Sequence, residues 1–229
     1  MNSIDSKSYQ LLMRALGKFL VVFIILGALL FGSAGTFSYV NGWVYLGTIV
    51  ATLGLGLSTL YRKDKSLLEK RIKTKETDPK QKRFVRISIV LIACIYGLPG
   101  LDFRFHWSSV PLVVMIAGEV ILLLGYGINL KVMMTNSYAS RVVEIQKEQK
   151  VIDTGLYAVI RHPMYMAIML VYIGTCLALA SFIALIPCGM MILVLGKRAI
   201  NEEKTLMDGL PGYGEYMKKV KHRIVPFVW

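Results

Sequence analysis

The run MYMAIMLVYIGTCLALASFIALIPCGMMILVLG, Met164–Gly196, holds 33 residues and not one Asp, Glu, Lys or Arg. About 20 residues of helix cross the hydrocarbon core of a bilayer, so this run is too long for a single span. A break near Ala180–Ser181 divides it into two arms of about 16 residues, short enough to tilt or to span only in part. Sidedness gives the same answer. A single crossing would leave Lys197, Arg198, Lys218, Lys219, Lys221 and Arg223 on the far side of the membrane, whereas a helical hairpin brings them back.

Four further blocks are almost free of charge: Leu16–Tyr39, Trp43–Tyr61, Phe84–Gly100 and Val110–Leu130. Each reads as membrane-spanning helix. The first has basic flanks like a leader peptide, but its apolar stretch is too long and lacks a small-residue cleavage site, so it reads as a retained helix. With 55% hydrophobic residues in 229, the chain is too apolar for a soluble domain of its size. The predicted fold class is all-α integral membrane, with four transmembrane helices followed by a C-terminal transmembrane hairpin. Residues 1–128 form the N-terminal helices and residues 129–229 the part that carries the motifs.

The formal charge of +13 could suggest nucleic acid, but its distribution argues otherwise. Lys and Arg number 3 up to Lys18, 11 in Arg62–Arg86, 5 in Lys131–Arg161 and 7 after Gly196. Only Arg104 lies elsewhere, so 26 of 27 can share one side of a membrane. By the positive-inside rule that side is cytoplasmic, with both termini. The basic loop then faces anionic headgroups, and no nucleic-acid partner is expected. Cys94, Cys176 and Cys188 lie in apolar runs with no paired spacing, which indicates packing rather than a metal site or a disulfide.

Between the fourth block and the hairpin, Arg141–Ile145 alternates like an extended segment and Asp153-Thr154-Gly155 signals a turn. GLYAVIRHPMY (155–165) follows. Proline suits the first turn of a helix, and the residue before it is pushed out of the helical region. His162 is therefore expected extended at the mouth of a helix opening at Pro163, where unpaired N–H groups and the dipole favour an anion. Two readings stand for Arg161, Tyr157 and Tyr165: headgroup anchors or the walls of a site, with Arg161 the residue best suited to anchoring. Beyond Gly196, a continued helix sets Arg198 and Glu202 four apart on one face and Glu203 about 100° further round. Such a group is either an exposed helix-stabilising pair or a site reaching back under the bilayer. Glu119 is an acid inside an apolar run, either a packing partner or a cavity residue. GLGLST at Gly54–Thr59 looks like half of a nucleotide loop, but within a membrane run it is expected to serve close helix packing.

Taken in order, GLYAVIRHPMY, an apolar hairpin, RAINEEKTL (198–206) and YGEYMKKVKHRIVP (213–226) resemble the isoprenylcysteine carboxyl methyltransferase family. That family belongs to a wider group of integral-membrane methyltransferases that includes the phospholipid N-methyltransferases. The pieces span roughly Asn129–Pro226. The resemblance implies an enzyme dependent on S-adenosylmethionine, held in a cytosol-facing pocket rather than on a Rossmann domain. It also implies a lipophilic acceptor, a small molecule or a lipidated chain, methylated on a carboxylate or thiol. By position it assigns Arg198 and Glu202 to the acceptor and the chemistry. The cofactor falls to Val151, Ile152, Gly155, Tyr157, Arg161, His162, Pro163, Tyr165 and Glu203. The pre-hairpin segment SYASRVVEIQKEQKVIDTG has no histidine, unlike the prenylcysteine enzymes. Phospholipid amine methylation and a non-catalytic scaffold or transporter are the alternatives.

Overall fold

The computed structural model describes residues 3–72, 79–139, 145–146 and 148–229. The described residues form α1 (Ser3–Ala34), α2 (Val40–Lys63), α3 (Lys65–Ile72), α4 (Pro79–Phe105) and α5 (Leu112–Thr135). A 3-10 turn at Gly155–Ala158 precedes α6 (Pro163–Ala178), α7 (Leu185–Gly209) and α8 (Tyr213–Lys219). The strand-like reading of Arg141–Ile145 lies outside the described residues, except for Ile145.

The helices α1, α2, α4 and α5 are long and apolar enough to cross a membrane, and only 17–28% of their most apolar windows is buried. Most of their apolar surface, such as Leu20, Ile24, Val113 and Leu124, faces outward. Water would not tolerate so much exposed hydrocarbon, and lipid does. The long apolar run breaks at Leu179–Ala184 into α6 and α7, around the expected Ala180–Ser181. The two helices are antiparallel: Tyr165 at the start of α6 reaches Glu202 late in α7, and Cys176 reaches Ala184.

Contact between helices is made where side chains vanish. A Cβ on Gly118 of α5 would stand 2.5 Å from the backbone of Ala178, and one on Gly174 of α6 would stand 2.5 Å from Leu122 N. Gly100 of α4 meets Leu30 and Ser33 of α1 in the same way. Small residues let backbones approach where no hydrophobic force drives helices together in lipid. GLGLST does not act so: Gly54 and Gly56 lie within α2 and face open space, so the expectation of close packing fails there. The glycines that pack stand singly, in runs with no visible motif.

The bundle has two distinct ends. At one, Lys18 donates to Ile72 O, Lys65 to Ser8 Oγ (2.9 Å) and Lys70 to Ser137 O (3.2 Å). There α3 buries Leu67 and Leu68 against Ala15, Leu60 and Ala139. At the other, Tyr39 donates to Leu179 O (2.5 Å) and Asn41 to Ala178 O (3.1 Å). Asp102, 1% exposed, accepts there from Ser108 N, Ser108 Oγ and Ser181 Oγ at 2.5–2.7 Å. These bonds tie the α6–α7 turn to the ends of α2 and α4. Arg104, the cation set apart by the sequence, lies at this second end against Gly35. The division expected at residues 128/129 falls inside α5.

Candidate active site

At the basic end a cavity of about 670 Å³ opens between α4, α6, α7 and the segment before α6. That size suits a small organic molecule. Its deeper walls are apolar: Ile89 and Ile92 of α4, Ile168 of α6, Met191 and Leu195 of α7. Its outer walls carry Val151, Ile152, Tyr157, His162, Tyr213 and Tyr216. Arg198, Glu202 and Tyr165 stand with them.

Proline at the first position of α6 fixes the helix start, and His162 before it takes φ −122, ψ 62, outside the helical region as expected. The ring of His162 stacks on Tyr165 at 5.4 Å and 12°. Its Nε2 lies 3.2 Å from Glu203 Oε1. The same oxygen accepts from Arg161 Nε at 2.7 Å, and Arg223 Nε donates to Oε2 at 2.8 Å. Burial alone would raise the pKa of Glu203; hydrogen bonds from His162, Arg161 and Arg223 outweigh it and hold the value at about 2. Glu203 is thus an anion at neutral pH that three side chains share.

The C-terminal segment completes the frame. Arg161 Nη1 donates to Val220 O and Lys221 O (2.7 and 2.8 Å), while the backbone N–H groups of Arg161 and His162 donate to His222 O and Arg223 O (3.0 and 2.8 Å). Ile160 and His222 form an isolated parallel bridge. Arg161 is 8% exposed. It is therefore not a headgroup anchor, because its charge is spent on Glu203 and on two carbonyls within the protein. An anchor is the natural reading from sequence, since Glu203 lies 42 residues away.

Of the residues singled out by sequence, Val151, Ile152, Tyr157, Arg161, His162, Tyr165, Arg198 and Glu202 all line this cavity. Gly155, Pro163 and Glu203 do not. Gly155 takes a φ of 59 that opens the 3-10 turn carrying Tyr157, and Pro163 sets the helix. Glu203 holds the wall from behind. Arg198 and Glu202 share the cavity face of α7, and Tyr165 donates to Glu202 Oε2 at 2.6 Å. Glu119 is not part of the cavity: it accepts from Thr48 of α2 at 3.0 Å.

Sequence reasoning missed three contributors. Arg71 of α3 reaches the cavity, its Nη1 3.4 Å from Met164 Sδ. Ser88 and Ile89 of α4 form a wall although no motif marks them. Tyr213 carries no role in the sequence beyond opening the stretch YGEYMKKVKHRIVP. Tyr213 is 4% exposed, and among the described residues its hydroxyl has no hydrogen-bond partner. A buried hydroxyl without a partner costs free energy unless a ligand supplies one. Burial also raises its pKa, which keeps it a donor. Tyr157, pushed up to about 12 by burial, likewise stays protonated, and accepts from Asn136 at 3.0 Å.

The cavity thus sets a polar mouth with an orphaned donor above an apolar floor. Residues 113–213 match the phospholipid methyltransferase family. That family is part of the integral-membrane methyltransferase group, and the match supports a membrane-bound methyltransferase. No curated protein matches the chain. The phospholipid methyltransferase match runs from the first turn of α5 to the first residue of α8. It takes in the pre-α6 segment, α6 and α7, and thus most of the cavity wall. It does not single out the isoprenylcysteine branch.

Proposed function

We propose that the protein is an S-adenosylmethionine-dependent methyltransferase acting on a lipophilic acceptor drawn from the bilayer. One observation carries the reading: the cavity joins His162, Arg198, Glu202 and the orphaned Tyr213 hydroxyl to a floor of bilayer-level hydrocarbon. The residues fit the cofactor group by group. His162, with the start of α6, takes its carboxylate; Val151 and Ile152 lie against the adenine; Tyr157, Tyr165 and Tyr213 meet the remaining polar atoms.

S-adenosylmethionine supplies, when bound, a sulfonium methyl group for in-line displacement. The protein's part is to align and desolvate the partners. Arg198 grips an anionic acceptor, and Glu202, steadied by Tyr165, orients that guanidinium. A carboxylate so held needs no general base, being ionised already at neutral pH, whereas a thiol must first give up its proton, which Glu202 can receive. Glu203 and Arg161 act as positioning residues that fix His162. In this reading α6 and α7 form a hairpin through the bilayer. The 16 residues of α6 rise about 24 Å, less than the full hydrocarbon thickness. The basic end, with both termini and the cavity mouth, faces the cytoplasm.

The family match favours a second acceptor class, the amine of a phospholipid headgroup. An amine must first lose a proton, and Glu202 in the cavity is a carboxylate able to receive one. Turnover on an amine therefore falls as acid protonates it, whereas turnover on a carboxylate does not. Radiolabelled S-adenosylmethionine, supplied to the purified protein with a membrane lipid extract, tests the function. Label recovered in an identified lipid supports the reading and names the acceptor class. Label confined to water-soluble material contradicts it.

A further inference from the structure

We infer that Val225–Trp229 is a bilayer-seated hook, and that Arg223 carries its position to the His162 wall of the cavity. The inference rests on the reading above in taking α7 up to Gly196 as lipid-facing.

The segment closes on itself. Ile224 N and Val225 N both donate to Trp229 O (2.9 and 3.0 Å), and Trp229 N donates back to Val225 O (3.1 Å). This closure turns apolar side chains outward: Phe227 is 86% exposed and Val228 79%. Phe227 also takes a φ of 62, a region a bulky residue rarely adopts. Strain spent on presenting a phenylalanine outward makes no sense in water.

The hook sits at a defined level. The Trp229 ring packs over Gly196, where a Cβ would come within 3.3 Å of it. Gly196 ends the apolar run of α7. Ile186, Met190 and Leu193 stand out from that helix at 62%, 53% and 68% exposure, and exposed Lys197 follows. Their spacing of four, three and four residues draws one stripe along α7, ending in a cation at the headgroup level. The hook lies beside the end of this stripe, Trp229 standing over Gly196. Aromatic and aliphatic side chains beside a lysine are the make-up of a surface sunk into the boundary between headgroups and acyl chains.

Behind the hook, the Arg223 guanidinium lies 4.7 Å from the Trp229 ring centroid. The same side chain donates to Glu203 Oε2, and its carbonyl accepts from His162 N. Lipid contact at Phe227 and Val228 thus holds Trp229 against α7, Trp229 holds Arg223, and Arg223 holds the carboxylate and backbone that set His162.

The test uses the full chain in phospholipid vesicles, with Trp43→Phe and Trp107→Phe leaving Trp229 as the sole indole. Its emission should fall by roughly half or more in lipids brominated high on the acyl chains, as for an interfacial side chain. Unchanged emission, with free quenching by aqueous iodide, would overturn the hook. Phe227→Asp with Val228→Asp alters two exposed positions; because Phe227 meets the His222 ring edge-on at 5.5 Å, Val228→Asp alone is measured beside it to check the coupling. S-adenosylhomocysteine should bind both variants more weakly, the double variant roughly fivefold, about the effect of loosening one hydrogen bond, and their thermal midpoints should drop. Wild-type affinity and midpoint would refute the coupling. Strong bromolipid quenching in a wild-type protein that binds no S-adenosylhomocysteine would contradict the methyltransferase reading while leaving the hook in place.

Discussion

Arg161 Nε and Glu203 Oε1 lie 2.7 Å apart, joining the residue two before α6 to the part of α7 beyond the apolar run. Both side chains are at most 6% exposed. Around this bond His162, Arg223 and the carbonyls of residues 220–223 are organised, so it fixes one side of the cavity to the other.

Removing the carboxylate should therefore be costly. Glu203→Ala leaves Arg161 buried without its counterion, for which about 3–5 kcal/mol of stability is expected to be lost. Thermal unfolding of the purified protein in detergent measures it. Lys219→Ala, which breaks the exposed pair with Asp153 (2.9 Å), should leave the midpoint unchanged.

Acid should reveal the same group. The pKa of Glu203 falls from an ordinary 4.5 to about 2 in the folded protein. A depressed carboxylate contributes its stability fully above the unfolded value and loses it as pH falls through the folded one. Between pH 4.5 and about 2 the wild type should lose stability that Glu203→Gln lacks from the outset. Unfolding midpoints across that range, compared for the two proteins, check it.

Within the cavity the roles should separate. His162→Ala and Tyr213→Phe should weaken S-adenosylhomocysteine binding, the latter by roughly tenfold for one buried hydrogen bond. Arg198→Ala should lower turnover while cofactor affinity stays near wild type. Tyr165→Phe, which strips Glu202 of its 2.6 Å donor and the cofactor of a contact, should show both effects. Calorimetry and steady-state methyl transfer, run on the same preparations, distinguish the two groups.

Helix packing offers a further contrast. Gly174→Ala forces a methyl group to within 2.5 Å of Leu122 N and should destabilise by about 1–3 kcal/mol. Gly54→Ala, with nothing within 4 Å, should be neutral or mildly stabilising. Denaturation in mixed micelles compares them.

The contrast also explains what the sequence could reveal. Local rules sufficed for the four helices long and apolar enough to cross a membrane, for the break at Leu179–Ala184 and for the helix beginning at Pro163, because hydropathy and proline act within a few residues. The shared face of Arg198 and Glu202 followed from helix geometry alone. Which glycines pack, and whether Arg161 faces lipid or protein, depends on partners tens of residues away. Arg161 meets Glu203 and the carbonyls of Val220 and Lys221, 42 to 60 residues distant, and no periodicity encodes that. Arg71 and the α4 wall were hidden for the same reason.

Sidedness can be checked without activity. Single cysteines placed at Lys65 and Lys219 should react with a membrane-impermeant reagent from the same side, and one at His106 from the other. Lys65 and His106 reacting together would break the two-ended arrangement.

The cavity beside His162 is expected to hold S-adenosylmethionine. Isothermal titration of the purified, lipid-reconstituted protein with S-adenosylhomocysteine tests it most directly. Saturable single-site binding, with thermal stabilisation, and its weakening in His162→Ala is the predicted result. No heat and no stabilisation at millimolar ligand, or identical affinity in the wild type and His162→Ala, would contradict it.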